Sequence, residues 1–313
     1  MSAGVVYKVS PSGQESTLYS FTGQADGQFP RSTLARDAEG NLYGTCFSGG
    51  ASNLGLVFKL SPSGQLSVLH SFAGGADGAS PTNGVVLDAA GNIYGTTPSG
   101  GTASQIGAQE GVVFKLAPSG GLTVLHGFTG LADGGNPQAD LLMDSQGALY
   151  GTASTGGAGS GVVFEVNAAG AYAVLHTFTG EADGGAPFGG VALDAQGNLY
   201  GTASGYGQLP GGRQGEGVVF KLDSAGAYSV LYTFSGGADG SNPGGDIALD
   251  SAGNVYGVTS AAGADCSCGT VYEVTSVGRF AVLHDFTGGD DGHFRQRLRR
   301  NRLSGCDRRR RSV

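Results

Sequence analysis

One phrase, written six times, limits what this chain can fold into. It runs Gly-Val-Val-Phe-Lys-Leu, Pro-Ser-Gly, Val-Leu-His-x-Phe, Ala-Asp-Gly and Pro, then a short apolar stretch with Asp, then Gly-Asn-Leu-Tyr-Gly-Thr; residues 111–152 carry one copy with small departures. The opening glycine stands at Gly4, Gly55, Gly111, Gly161, Gly217 and Gly269, at spacings of 51, 56, 50, 56 and 52. A period near fifty belongs to propellers and solenoids, in which each unit buries its apolar faces only by stacking on its neighbours.

Each period holds four runs rich in Val, Ile, Leu, Phe, Tyr and Thr, bounded by Gly, Asp, Asn, Ser or Pro. In one copy they are 84–87, 92–97, 111–116 and 122–128. Such runs read as strands, and no segment keeps an apolar period of 3.6. The expected fold is therefore all-β: a β-propeller of four-stranded blades. With the strands lettered A to D from the axis outward, the chain begins on strand C at Gly4. Five complete blades follow, at 33–72, 84–128, 139–178, 189–234 and 245–286, after an N-terminal half blade at 4–21. This is a six-bladed type, incomplete at the C-terminus. The repeat domain is expected to span 1–292. The sixth A–B pair should follow Gly292, where the sequence instead turns to His293, Phe294 and nine arginines. Residues 293–313 read as a basic tail without packed structure, produced by a frameshift or truncation; a nucleic-acid or anionic-surface tail and a plain solvated tail are the other readings. The half blade leaves strand C with an open edge, so an open or strained ring that self-associates is expected.

Composition narrows the function. Glycine is abundant, 61 of 313 residues, but it recurs at fixed places, which argues for tight turns rather than a flexible linker. Residues 1–292 carry eight Lys and Arg against 24 Asp and Glu, so no nucleic-acid partner is expected for the body. No run of 18 apolar residues is present, so no membrane span is expected, and Met1 leads almost directly into strand-like Val5–Val9, with no signal peptide.

The phrase Gly-Val-Val-Phe-Lys-Leu-x-Pro-Ser-Gly, with Val-Leu-His-x-Phe-Thr-Gly, Ala-Asp-Gly and Asp-x-x-Gly-Asn-Leu-Tyr-Gly-Thr, resembles the GloVer tandem repeat of bacterial extracellular β-propeller-like proteins across residues 4–292. The resemblance implies an extracellular or cell-surface location and brings no enzymatic activity with it. This chain departs from that pattern in having no signal peptide and no sorting anchor. The main functional reading is thus a non-catalytic structural or ligand-binding scaffold that uses the face bearing the D–A and B–C loops. The alternative is a propeller hydrolase or lyase with a metal near the central channel.

Most polar residues repeat, which marks them as structural. His70, His126, His176 and His284 share one position with Tyr19 and Tyr232; a packed ring with one hydrogen bond suits both residue types. Asp37, Asp88, Asp144, Asp194 and Asp250 precede the A–B turn and read as turn caps. Asp26, Asp77, Asp133, Asp183, Asp239 and Asp291 lie in the D–A loops. They read as turn residues or, more sharply, as carboxylates around the channel mouth that could take Ca²⁺, although each loop offers only one. Candidate ligand contacts are Tyr206, Arg213 and Gln214 in the long B–C loop of the fourth complete blade. Asp140 and Asp246 are the others: they begin strand A where other copies have Thr33, Gly84 or Gly190.

Overall fold

The computed structural model describes residues 3–101, 110–211, 213–263 and 268–288. The basic tail and Asp291 lie outside the described residues. Every regular element described is a strand, so no described helix is long and apolar enough to cross a membrane.

A hairpin comes first, β1 (Val5–Val9) and β2 (Glu15–Ser20). The first full sheet holds β3 (Gln28–Pro30), β4 (Ala35–Arg36), β5 (Leu42–Ser48), β6 (Leu56–Leu60) and β7 (Leu66–Ser71). The second holds β8 (Val86–Leu87), β9 (Ile93–Thr97), β10 (Val112–Leu116) and β11 (Leu122–Gly127), and the third β12 (Leu142–Met143), β13 (Leu149–Ala153), β14 (Val162–Val166) and β15 (Tyr172–Thr177). The fourth holds β16 (Ala192–Leu193), β17 (Leu199–Ala203), β18 (Val218–Leu222) and β19 (Tyr228–Thr233). The fifth holds β20 (Ser241–Pro243), β21 (Ala248–Leu249), β22 (Val255–Ala261), β23 (Thr270–Val274) and β24 (Phe280–Asp285). All pairings are antiparallel and join neighbours along the chain, except that β3 and β4 both pair with β5 and β20 and β21 both pair with β22; no sheet closes on itself. The architecture is propeller-like, with the two-residue strands β4, β8, β12, β16 and β21 innermost.

Three local devices recur and explain the repeat phrase. The glycine of Leu-Tyr-Gly-Thr faces the phenylalanine of the next strand: Gly95 pairs with Phe114 and Gly151 with Phe164. A Cβ at Gly151 would stand 2.6 Å from Phe164 Cζ, so only glycine leaves the ring its place. The ring then meets a phenylalanine from the preceding sheet edge-on, as in Phe72–Phe114, Phe128–Phe164 and Phe178–Phe220 at centroid distances of 5.4, 5.4 and 5.5 Å. This ladder is the core, and five apolar clusters lie between successive sheets rather than within them.

The second device is a bulge. Val113 pairs with His126 but Phe114 with Val124, leaving Leu125 as the extra residue, and Leu125 packs against the cluster shared with the third sheet. A bulge adds twist and re-aims a side chain; here it turns a leucine toward the next sheet. The third device is the A–B turn: Asp88 accepts the Asn92 amide at 2.8 Å, the Asn92 Nδ2 at 2.6 Å and the Tyr94 hydroxyl at 3.0 Å.

The residue before each loop proline has left-handed backbone: Phe29, Ser80, Asn136, Ala186 and Asn242 have φ between 51° and 56°. Each donates its N–H to the residue just before a strand-C glycine, for example Ser80 to Leu54 at 2.7 Å and Ala186 to Ser160 at 2.8 Å. The D–A loop is thereby latched to the end of the B–C loop.

Candidate functional site at the axis

The entry to the innermost strand is one repeat position, filled in turn by Thr33, Gly84, Asp140, Gly190 and Asp246. The two acids reach backward by one sheet. Asp140 Oδ1 accepts the Gly84 amide at 2.6 Å, and Asp246 Oδ1 accepts the Gly190 amide at 3.1 Å. The Thr33 hydroxyl donates to Asp140 Oδ2, which ties the first, second and third sheets together at the axis. Glycine is needed at both receiving positions: a Cβ at Gly84 would lie 2.9 Å from Asp140 Oδ2, and one at Gly190 2.5 Å from Asp246 Oδ1. The alternation of Gly and Asp thus fits small against large where the strands converge.

The carboxyl group of Asp246 lies above the usual aspartate range. Lost hydration is the larger cause and the charge of Asp140 the second; the Gly190 amide opposes both without cancelling them. Asp246 as a whole keeps enough accessible surface to rank as exposed. Water at that surface screens part of the effect. The charge of Asp140 thus reaches Asp246. Nearby, Thr202 Oγ1 is buried and has no hydrogen-bond partner, whereas its counterpart Thr152 donates to the Gly189 carbonyl at 3.0 Å.

Beside Asp140 lies a cavity of about 430 Å³, formed by Thr33 to Arg36, Val85 to Leu87 and Asp140 to Met143. Its walls are mainly aliphatic, with Asp140, Thr33 and Arg36 as the polar groups. It is an open depression rather than an enclosed pocket, and Asp246 is not among its lining residues.

The other sequence candidates lie elsewhere. Asp26, Asp77, Asp133, Asp183 and Asp239 sit at the ends of the outermost strands, each closing its own loop. Asp133 Oδ2 accepts the Thr129 amide at 3.0 Å and lies 3.1 Å from His126 Nε2, while Oδ1 accepts the Thr129 hydroxyl. Asp26 and Asp239 repeat this with Tyr19 at 3.0 Å and Tyr232 at 2.9 Å. In the third sheet His176 Nε2 comes within 3.3 Å of Asp183 but lacks hydrogen-bond geometry. Among the described residues no three His, Cys, Asp or Glu side chains gather closely enough to hold a metal. The axis itself offers two carboxylates. The described residues therefore do not make up a metal centre, and the metal in the hydrolase reading finds no support in them.

Tyr206, with φ of 66°, is 44% exposed and packs over the fourth D–A loop, where a Cβ at Gly185 would lie 3.1 Å from its ring. Arg213 is exposed and accepts the Leu209 amide at its carbonyl, and Gln214 bridges Gln208. These three share one loop; Asp140 and Asp246 form a separate group. Cys46 is fully buried, and that burial, followed by the charge of Asp26, pushes its thiol up to about 12.

The Gloeobacter/Verrucomicrobia repeat model matches residues 1–209 and 57–263. The chain belongs to this repeat family. Comparison with curated proteins returned no match. Among solved structures, a Bacteroides uniformis protein provisionally described as a 6-phosphogluconolactonase is 16% identical, with a TM-score of 0.54 over 89% of this chain and 76% of that one. A Xanthomonas campestris gluconolactonase is 18% identical, with a TM-score of 0.48 over 82% and 75%. A luciferin-regenerating enzyme is 16% identical, with a TM-score of 0.48 over 80% and 93%.

At these identities the likeness is one of fold. It still corrects the expectation of a non-catalytic scaffold. That expectation took the repeat to carry no enzymatic activity, yet the architecture the repeat encodes is shared with a protein provisionally described as a 6-phosphogluconolactonase.

Proposed function

We propose that this chain is a hydrolase that opens a small cyclic ester at the axis, within a propeller of the six-bladed type. The observation that carries the reading is the pair Asp140 and Asp246. Only these two break the Thr and Gly pattern at the strand-A entry with a carboxylate, and burial followed by the charge of Asp140 raises the carboxyl group of Asp246. The choice of a cyclic ester rests on the 6-phosphogluconolactonase description of the structural neighbour. An extracellular setting, implied by the resemblance to the tandem-repeat proteins, is kept as part of the proposal.

Asp140 accepts hydrogen bonds at both oxygens, from the Thr33 hydroxyl and the Gly84 amide. Burial first, and the charge of Asp140 second, hold the Asp246 carboxylate at a higher basicity than a free aspartate, which suits a general base. In the proposed step Asp246 takes a proton from water as the water oxygen bonds to the ester carbonyl carbon. The ring C–O bond then breaks, and the protonated Asp246 returns the proton to the departing alkoxide. One water is consumed and one hydroxy acid released.

The test is a pH-stat assay of the full chain against aldonolactones and simple lactones, with D246N beside it. Turnover above the uncatalysed rate is expected, with a loss of about 100-fold or more in D246N. Absence of turnover on every lactone, or equal rates in the variant, would refute the proposal.

A further inference from the structure

We infer that this chain associates with a second copy of itself, head to tail, through its two terminal sheet faces. The chain displays the required contact five times. In each, the strand-C residues of one sheet pack on the opposite face of the sheet before it; Val112, Phe114 and Leu116 do so on Val57, Phe72 and Leu69. Those three strand-C side chains are 0% exposed.

The first hairpin carries the same half-interface uncovered. Val5, Tyr7 and Val9 occupy the positions of Val112, Phe114 and Leu116, yet they are 39%, 56% and 54% exposed. Val6, pointing the other way, is buried against the first full sheet. At the far end, the fifth sheet carries the complementary half. Leu283 is 52% exposed, whereas its counterparts Leu69, Leu125, Leu175 and Leu231 are packed against the next sheet. Ala248 is exposed where Ala35, Val86, Leu142 and Ala192 are half-buried.

The occupant follows from continuity with the interfaces already built. A β1 face accepts the outward face of a preceding repeat sheet, and the fifth sheet of another copy supplies one. The two faces differ, so the contact is heterologous: each copy keeps one free face after pairing. Further growth with concentration is then expected rather than a closed two-fold dimer. The inference does not involve Asp140 or Asp246 and stands apart from the proposed activity.

The experiment is sedimentation velocity of the full chain at several concentrations, with Y7D, L283D and their equimolar mixture. Both side chains are exposed, so circular dichroism should be unchanged. If either aspartate variant were unfolded, Y7S and L283S would replace it. The wild type should gain mass with concentration. Each variant alone should associate at least about 30-fold more weakly, the loss typical of a central interface anchor. Mixed, they should form a 1:1 species that grows no further, because each supplies the face the other lacks. A wild-type chain whose mass is independent of concentration would overturn the inference, as would self-association of L283D at wild-type strength, which would mean β1 edge-to-edge pairing. Failure of the mixture to restore the pair would overturn it too.

Discussion

Replacing Gly151 with alanine tests the rule that links the repeat phrase to the core. The added Cβ would lie 2.6 Å from Phe164 Cζ, 2.9 Å from Leu141 Cδ2 and 3.1 Å from Phe164 Cε1. Neither neighbour can retreat easily. Phe164 is 0% exposed and Leu141 5%, and the Phe164 ring is held edge-on by Phe128 at 5.4 Å and stacked by Tyr172 at 5.5 Å. Overpacking of this kind costs about 1–3 kcal/mol. The reduced freedom of the unfolded chain returns about 0.4–1 kcal/mol, leaving a net loss of about 1–2 kcal/mol. At about 2–4 °C per kcal/mol for domains of 150–250 residues, the melting temperature should fall by about 2–8 °C. Gly121 is the control: nothing lies within 4 Å of its Cβ position, and other copies have Ala171 or Ala227 there. G121A should be neutral or gain up to about 1 kcal/mol. Calorimetry of both variants decides. If G151A melts at or above the wild type, the glycine is not there to admit the ring.

Acid should destabilise the fold in two stages. His126 and His176 are held below the ordinary 6.5 by burial, which outweighs the pull of Asp133 and Asp183, so the stability their neutral rings contribute is complete above about 6.5 and is lost as the pH falls through the lower folded values. Asp26, Asp37, Asp88 and Asp194 are lowered from 3.8 because hydrogen bonds outweigh the upward push of burial, Asp37 to about 2, and in Asp250 the Asn254 amide leads the lowering. Their contribution is present above about 3.8 and disappears toward 2; melting temperatures that stay flat from pH 7 to 3 would contradict both stages. D183N should lower stability by about 1 kcal/mol through loss of the charge-assisted bonds from Thr179, while millimolar Ca²⁺ leaves the wild-type melting temperature unchanged; a calcium-dependent rise would reinstate a cation role for these loops. A186G relieves a left-handed alanine with φ of 51° and should stabilise by about 0.5–1 kcal/mol; a loss of stability would show that the latch does not strain the residue.

The fold was legible because periodicity carries it. The Phe ring, its facing Gly and the Asp of the A–B turn recur in register, and each has one physical use. Asp140 and Asp246 could be singled out because they break that register. Their partners could not: the amides of Gly84 and Gly190 lie 56 residues away and meet the acids only once the sheets are arranged round an axis. Asp26 and its equivalents were legible as turn residues. A place at the channel mouth, inferred from loops leading inward, overlooked the reach of an aspartate to the amide four residues before it and to the His or Tyr on the outer strand. The left-handed residue before each proline left no trace in composition, since Phe29, Ser80, Asn136, Ala186 and Asn242 share no chemistry; the backbone bond to the preceding sheet end selects it. Repetition could not decide for or against catalysis, because the two acids that carry the proposal depart from the pattern at a single repeat position.

The dependence of lactone kcat/KM on pH, in the wild type and in D140N, tests the acid pair most directly. The account predicts that the rate rises with pH through one ionisation lying above the usual aspartate range, that of Asp246. In D140N this ionisation should move down, since the neighbouring charge is gone while the crowding of the axis remains. An ionisation at the same pH in both proteins, or one that survives in D246N, would contradict the claim that these two carboxyl groups work as a unit.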